Sequence, residues 1–134
     1  KKAGLGGRVR VLAADAKHAL PRLGPDHTVR AFFLHFPDPW WKKRHQKRLV
    51  MAPELLREIH RLLEPGGELF VQTDVPERAE LYEEQIEADG RFAPAGDEPG
   101  SPWLADNPYG ARSPREHHAI ADGLPVHRLR YRTT

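Results

Sequence analysis

The chain contains no cysteine, a single methionine and no long hydrophobic run. Without cysteine there is neither a disulfide framework nor a thiolate metal site, and the composition fits a reducing compartment, so a cytoplasmic location is expected. A membrane-spanning helix needs roughly 20 consecutive apolar residues. No stretch here approaches that length and no signal-peptide pattern is visible in these residues, so no membrane partner is expected. Neither sign of charge is in large excess: 21 Lys and Arg stand against 19 Asp and Glu, a formal net charge of +2. Any strongly basic feature is therefore local. There is no internal repeat. What remains is 39% hydrophobic and 30% charged residues over 134 positions, the balance of one globular domain with a real core and too little chain for two. Residue 1 is Lys1, and Lys1 to Gly7 runs into a strand without a cap or start signal, so the expectation is a chain whose upstream part is missing.

One stretch organises the rest. Val29 to Phe36 is an apolar run that reads as a buried strand, and Pro37-Asp38-Pro39 holds a carboxylate in an extended turn just past its end. Trp40 and Trp41 follow, then the cations Lys42, Lys43, Arg44, Lys47 and Arg48, with His45 and Gln46 among them. In open α/β sheets, ligands sit in the crevice beyond the carboxyl ends of the strands. A fixed carboxylate, flat aromatic surfaces and a cationic run at that place suit a nucleic-acid base and its phosphates. Read alone, the basic run is a solvated surface, but its aromatic and proline neighbours point away from that.

Around it, strands and helices alternate. Arg8 to Ala13 alternates apolar and polar residues and ends at Ala14-Asp15-Ala16; Lys17 to Leu23 reads as a short helical or irregular turn. The spacing of Leu55, Leu56, Ile59, Leu62 and Leu63 predicts a helix that starts at Pro53, packs one face on a sheet and stops at Pro65-Gly66-Gly67. Glu68 to Thr73 is the next strand, ending at Asp74, and a second helix runs from Pro76 to about Ala88 with Leu81, Tyr82 and Ile86 on its apolar side. Arg91 to Ala95 reads as a short strand, Gly96 to Arg112 as a long, flexible loop. Ser113 can cap a helix to about Asp122, with Glu116 placed as in a capping box. Val126 to Arg132 closes the chain as a strand, with Val126, Arg128, Arg130 and Arg132 on one face and His127, Leu129 and Tyr131 on the other. This alternation is α/β, and parallel strands would bring the acidic turns at Asp15, Asp38 and Asp74 to one edge of the sheet.

The segment Phe36-Pro37-Asp38-Pro39-Trp40, with Lys42-Lys43-Arg44-His45 and Lys47-Arg48, resembles the signature of the tRNA (guanine-N7)-methyltransferases. The likeness extends from about Arg8 to Arg132 and includes Asp15-Ala16, Pro65-Gly66-Gly67, Thr73-Asp74 and the Ser113 to Glu116 segment. It implies a Rossmann-like class I methyltransferase sheet, mostly parallel, of which residues 1–134 are the C-terminal part of one domain and lack the N-terminal strands. It also implies S-adenosylmethionine as cofactor and a guanine in the variable loop of tRNA as substrate. By the same resemblance Asp38 is the active-site residue and lies near the cofactor, and Asp15 and Ala16 line the cofactor's adenine side. Lys42, Asp74, Ser113, Pro114, Arg115 and Glu116 contact the substrate, and Lys43, Arg44, His45, Gln46, Lys47 and Arg48 touch RNA. Three departures stand out. Trp41 replaces the family's usual proline, and Ser113 its usual threonine. The glycine-rich strand-to-helix turn for the methionine part of the cofactor, and the acidic residue for its ribose, are absent; Gly4-Leu5-Gly6-Gly7 precedes a strand instead of following one.

Bland readings compete with some of these roles. Asp15 and Asp74 taken singly are ordinary turn aspartates, and Ser113 with Glu116 fits a plain helix cap equally well. His117 and His118 are adjacent on a helix and point apart. His18, His27, His35, His45, His60 and His127 show no ligand spacing, so no metal site is expected. The alternative to an enzyme is a non-catalytic RNA-binding α/β module that uses the same basic run.

Overall fold

The computed structural model describes residues 19–36, 53–109 and 114–133. Asp15, Ala16, Asp38, the basic run Lys42 to Arg48, Ser113 and the expected first strand lie outside the described residues, as do the side chains of Pro114 and Arg115.

Among the described residues, five strands form one sheet: β1 (Val29–His35), β2 (Leu63–Thr73), β3 (Phe92–Pro94), β4 (Trp103–Leu104) and β5 (His127–Thr133). The helices are α1 (Pro53–Leu62), α2 (Pro76–Asp89) and α3 (Pro114–Ala121), preceded by a 3-10 turn at Leu20–Arg22. The order is β1-β2-β5-β3, with β4 also on β5. β1 and β2 pair in parallel, and β5 runs antiparallel to β2, β3 and β4. Three of the four ladders are thus antiparallel, yet four of the five strands point the same way and β5 alone is reversed. The resemblance implies a mostly parallel sheet; among the described residues the pairing is instead mostly antiparallel, because the reversed β5 lies between β2 and the β3–β4 edge.

Period-two alternation sorts the sheet into two faces. Leu69 and Val71 of β2 and Leu129 and Tyr131 of β5 share one core with Leu55, Leu56, Ile59 and Leu62 of α1 and Tyr82 and Ile86 of α2. Both helices therefore cover the same face. Pro53 opens α1 and Glu54 sits in its first turn, where the helix dipole favours an anion. Extended Val75 leads into Pro76 to start α2, and Gly90 ends it in the left-handed conformation with φ 80°. Phe70, Gln72, Arg128, Arg130 and Arg132 belong to the opposite face, in keeping with the alternation in β5.

Three expectations change. Helix α1 ends at Leu62, so Leu63 and the expected helix stop Pro65-Gly66-Gly67 belong instead to β2, where Leu63 pairs with Val29. The apolar run predicts a β1 buried on both faces. Arg30, Phe33 and His35 are instead exposed, because among the described residues β1 pairs on one side only and Phe33 remains 44% exposed. The expected loop after Gly96 contains β4, because β3 and β4 follow the same edge of β5 as one interrupted strand. Ala95 N–H donates to Arg130 O at 2.9 Å, and Arg130 N–H donates to Pro102 O at 2.8 Å. The intervening turn is closed by Gly96 N–H on Ser101 O at 2.6 Å. Gly96 is required there, since a Cβ would lie 2.6 Å from Ser101 O.

Candidate active site at the carboxyl ends of the parallel strands

The parallel pair fixes where the expected site begins. His35 lies opposite Gln72, and Phe36 N–H donates to Gln72 O at 2.7 Å. Phe36 then turns the chain out of the sheet with φ 49°, a left-handed conformation that is costly for a bulky residue. The end of β2 turns similarly, with Val75 N–H donating to Thr73 Oγ1 at 3.2 Å. The chain thus leaves β1 at Phe36 and β2 at Asp74 from neighbouring strand ends at the same edge of the sheet.

Directly behind that edge, on the face away from α1 and α2, lies a buried polar network. Glu116 of α3 is fully buried. Its Oε2 accepts from Arg128 Nη2 at 2.7 Å, and its Oε1 accepts from Gln72 Nε2 at 3.3 Å and Asn107 Nδ2 at 3.1 Å. Burial pushes the Glu116 carboxyl up, but the hydrogen bonds from Arg128, Gln72 and Asn107 together outweigh it and hold the group below its ordinary value. Arg128 is itself buried and also donates from Nη1 to Ala105 O at 3.2 Å. Asn107 Oδ1 accepts from Tyr109 N–H at 2.8 Å, which fixes the Asn107 amide with its NH2 toward the carboxylate. Glu116, expected as a substrate contact, is therefore already engaged by three donors.

Beside the network sits an aromatic group. The Tyr109 ring meets Phe33 and Phe70 edge-on, each at 4.9 Å, and its hydroxyl donates to Glu68 Oε2 at 3.2 Å. Burial and the Glu68 carboxylate raise the Tyr109 pKa, so it stays a neutral donor. His35 stacks on Phe33 at 6.0 Å and its Nδ1 lies 2.7 Å from Gln72 Nε2. Among the described residues no group of three or more His, Asp or Glu could hold a metal ion.

His35, Gln72, Asn107, Tyr109 and Arg128 join this candidate site, and the sequence reading does not single them out. One signal was there: Gln72 interrupts the apolar run Leu69-Phe70-Val71, and a buried amide in such a strand needs polar partners.

Residues 7–128 match the family model described as "Putative methyltransferase". A tRNA (guanine-N(7)-)-methyltransferase of Parasynechococcus marenigrum is 40% identical over 130 residues, covering 94% of this chain and 54% of that protein. Its namesake in Myxococcus xanthus is 36% identical over 129 residues, covering 96% and 61%. The chain spans about half the length of the curated relatives it matches. Among solved structures, the cyclase SpnF superposes with a TM-score of 0.59 at 18% identity, covering 98% of this chain and 59% of that one. A protein from Thermus thermophilus described as a DNA modification methylase gives 0.50 at 20% identity, covering 90% and 50%. These two share the fold. By the match over residues 7–128, the chain belongs to this methyltransferase family.

Proposed function

We propose that this chain is the substrate-facing part of a cytoplasmic, S-adenosylmethionine-dependent tRNA (guanine-N7)-methyltransferase. The observation that carries the reading is the shared edge of β1 and β2, tied by the Phe36–Gln72 bond, from which the Asp38 and basic segments continue in sequence. Family membership and the names of the curated relatives support it. For the cofactor, Gln72 Oε1 supports the fit: among the described residues it is a buried acceptor without a hydrogen-bond donor, at the edge where ligands of open α/β sheets bind. Asp15, Ala16 and Asp38 are the residues that would hold the cofactor. When bound, it supplies an electrophilic methyl group on a sulfonium.

The chemistry asks the protein for alignment. Guanine N7 carries an in-plane lone pair and no proton, so no general base is needed. The opposite edge of the base presents N1–H and the N2 amino group, both donors that carboxylates accept. In this reading Asp38 and Asp74 take that edge, while Lys42 and the Ser113, Pro114 and Arg115 segment contact the substrate. Lys43, Arg44, His45, Gln46, Lys47 and Arg48 hold phosphates. Glu116 acts from behind them, orienting Gln72 and Arg128.

The test is incubation of the complete gene product with tRNA and methyl-labelled cofactor, followed by nucleoside analysis. We expect 7-methylguanosine in the tRNA. Salt-sensitive tRNA binding with no methyl transfer would overturn the enzyme reading in favour of an RNA-binding module.

A further inference from the structure

Gln72 is fully buried, and its amide nitrogen faces two partners: His35 Nδ1 at 2.7 Å and Glu116 Oε1 at 3.3 Å. An amide NH2 has two hydrogens, enough for both. Turning the amide over would set its oxygen against the Glu116 carboxylate, which the Arg128 ion pair at 2.7 Å keeps charged. The amide orientation is thus fixed by charge, and His35 Nδ1 must accept. A neutral imidazole whose Nδ1 accepts carries its proton on Nε2. His35 is exposed at the last position of β1, so the sheet edge displays one N–H donor of fixed identity, three residues before Asp38.

Such a donor distinguishes purines. On the edge that carries N7, guanine presents a second acceptor, O6, whereas adenine presents the N6 amino donor. We propose that His35 is a specificity-determining residue that donates from Nε2 to guanine O6 and opposes the amino group of adenine. Gln72, held by Glu116 and Arg128, is the positioning residue that sets its tautomer. The inference rests on the guanine-N7 reading above and adds a recognition element on the N7 side of the base. Partial burial of the ring against the sheet lowers the His35 pKa from its ordinary value against the opposing pull of Glu116, which favours the single-proton ring at neutral pH. A neutral ring also avoids setting a second cation beside the positively charged methylated base.

The experiment removes O6 from the substrate and compares two proteins. The complete gene product is assayed on tRNA carrying either guanine or 2-aminopurine at the methylated position; 2-aminopurine keeps N7 and N2 but lacks both O6 and the N1–H. The lost N1–H penalises the wild type and His35→Phe alike, whereas the lost O6 penalises only a protein with the His35 donor. The fall in kcat/KM from guanine to 2-aminopurine should therefore be roughly tenfold larger in the wild type than in His35→Phe, the worth of one hydrogen bond. His35→Gln, which keeps a donor, should retain part of the discrimination. Equal penalties in wild type and His35→Phe overturn the proposal. So does a 15N spectrum of the wild-type protein that shows His35 protonated on Nδ1, a readout that needs no variant to fold. If the wild type makes no 7-methylguanosine in any tRNA, the parent reading fails and the role of His35 in guanine recognition fails with it. Methylation of guanine with no sensitivity to O6 rejects His35 alone.

Discussion

The Glu116–Arg128 pair offers the most quantitative test of the architecture behind the site. Its side chains are 0% and 8% exposed, and the carboxylate also takes hydrogen bonds from Gln72 and Asn107. Removing Arg128 strands a buried carboxylate. Removing Glu116 strands a buried guanidinium, leaving it the bond from Nη1 to Ala105 O and no carboxylate to balance its charge. Breaking a buried pair from one side costs about 3–5 kcal/mol. Replacing both charges together, Glu116→Leu with Arg128→Met, leaves no stranded charge. The remaining cost is then the Gln72 and Asn107 amides, at roughly 1–3 kcal/mol for a buried donor left without a partner. The double variant should therefore lose much less than the sum of Glu116→Leu and Arg128→Met, with a coupling of roughly 4 kcal/mol at the midpoints of these ranges. Urea unfolding of the complete gene product and its three variants measures this, provided two probes give one transition. Losses that add within about 0.5 kcal/mol would refute the coupled network. The pH dependence carries a matching sign. The folded Glu116 pKa is depressed, so its contribution is present above the unfolded-chain value and is lost as pH falls through the folded one. Glu116→Gln should flatten that acid limb of the stability profile.

Further outcomes are expected elsewhere in the chain. If the basic run meets phosphates, Arg44→Ala with Lys47→Ala in the complete gene product weakens tRNA binding. It also flattens the logarithmic salt slope by roughly 0.7 to 0.9 per lost contact; an unchanged slope in filter-binding titrations contradicts the assignment. Ile59 is fully buried between helix and sheet, so Ile59→Ala should cost about 2–5 kcal/mol in denaturant unfolding, and a loss below about 1 kcal/mol would place it outside the core. Gly96→Ala should destabilise the joint between β3 and β4, because the added methyl meets backbone and not a flexible side-chain end. Faster hydrogen exchange at the Ala95 and Arg130 amides is the expected sign, and unchanged exchange the contrary one.

The fold was legible where one periodicity ruled. The i, i+3, i+4 spacing of Leu55, Leu56, Ile59 and Leu62 located α1, and the alternation in β5 sorted its arginines from Leu129 and Tyr131. β2 was legible only from Glu68, because Leu63 pairs with Val29 before a register shift that accommodates Pro65-Gly66-Gly67. β4 was hidden because Gly, Pro and Asp dominate its surroundings, and its two residues are strand only by pairing with β5. At the site, the sequence pointed to the edge through the Phe36 to Arg48 signature and to Glu116 through its spacing from Ser113. It did not reveal that Glu116 meets Arg128, twelve residues away in sequence, or Gln72, forty-four away. Those contacts depend on how α3 approaches the sheet, which no local pattern encodes.

The central claim is that Asp38, beyond the end of β1, aligns guanine for transfer to N7. Single-turnover methylation by the complete gene product, wild type against Asp38→Ala, with tRNA binding measured in parallel, tests it most directly. Losing a charge-assisted hydrogen bond costs about 1.5–3 kcal/mol, so the rate should fall at least about tenfold while tRNA affinity, dominated by phosphate contacts, barely moves. Methyl transfer by Asp38→Ala at the wild-type rate contradicts the claim, and a rate loss fully accounted for by lost tRNA binding would assign Asp38 to docking instead.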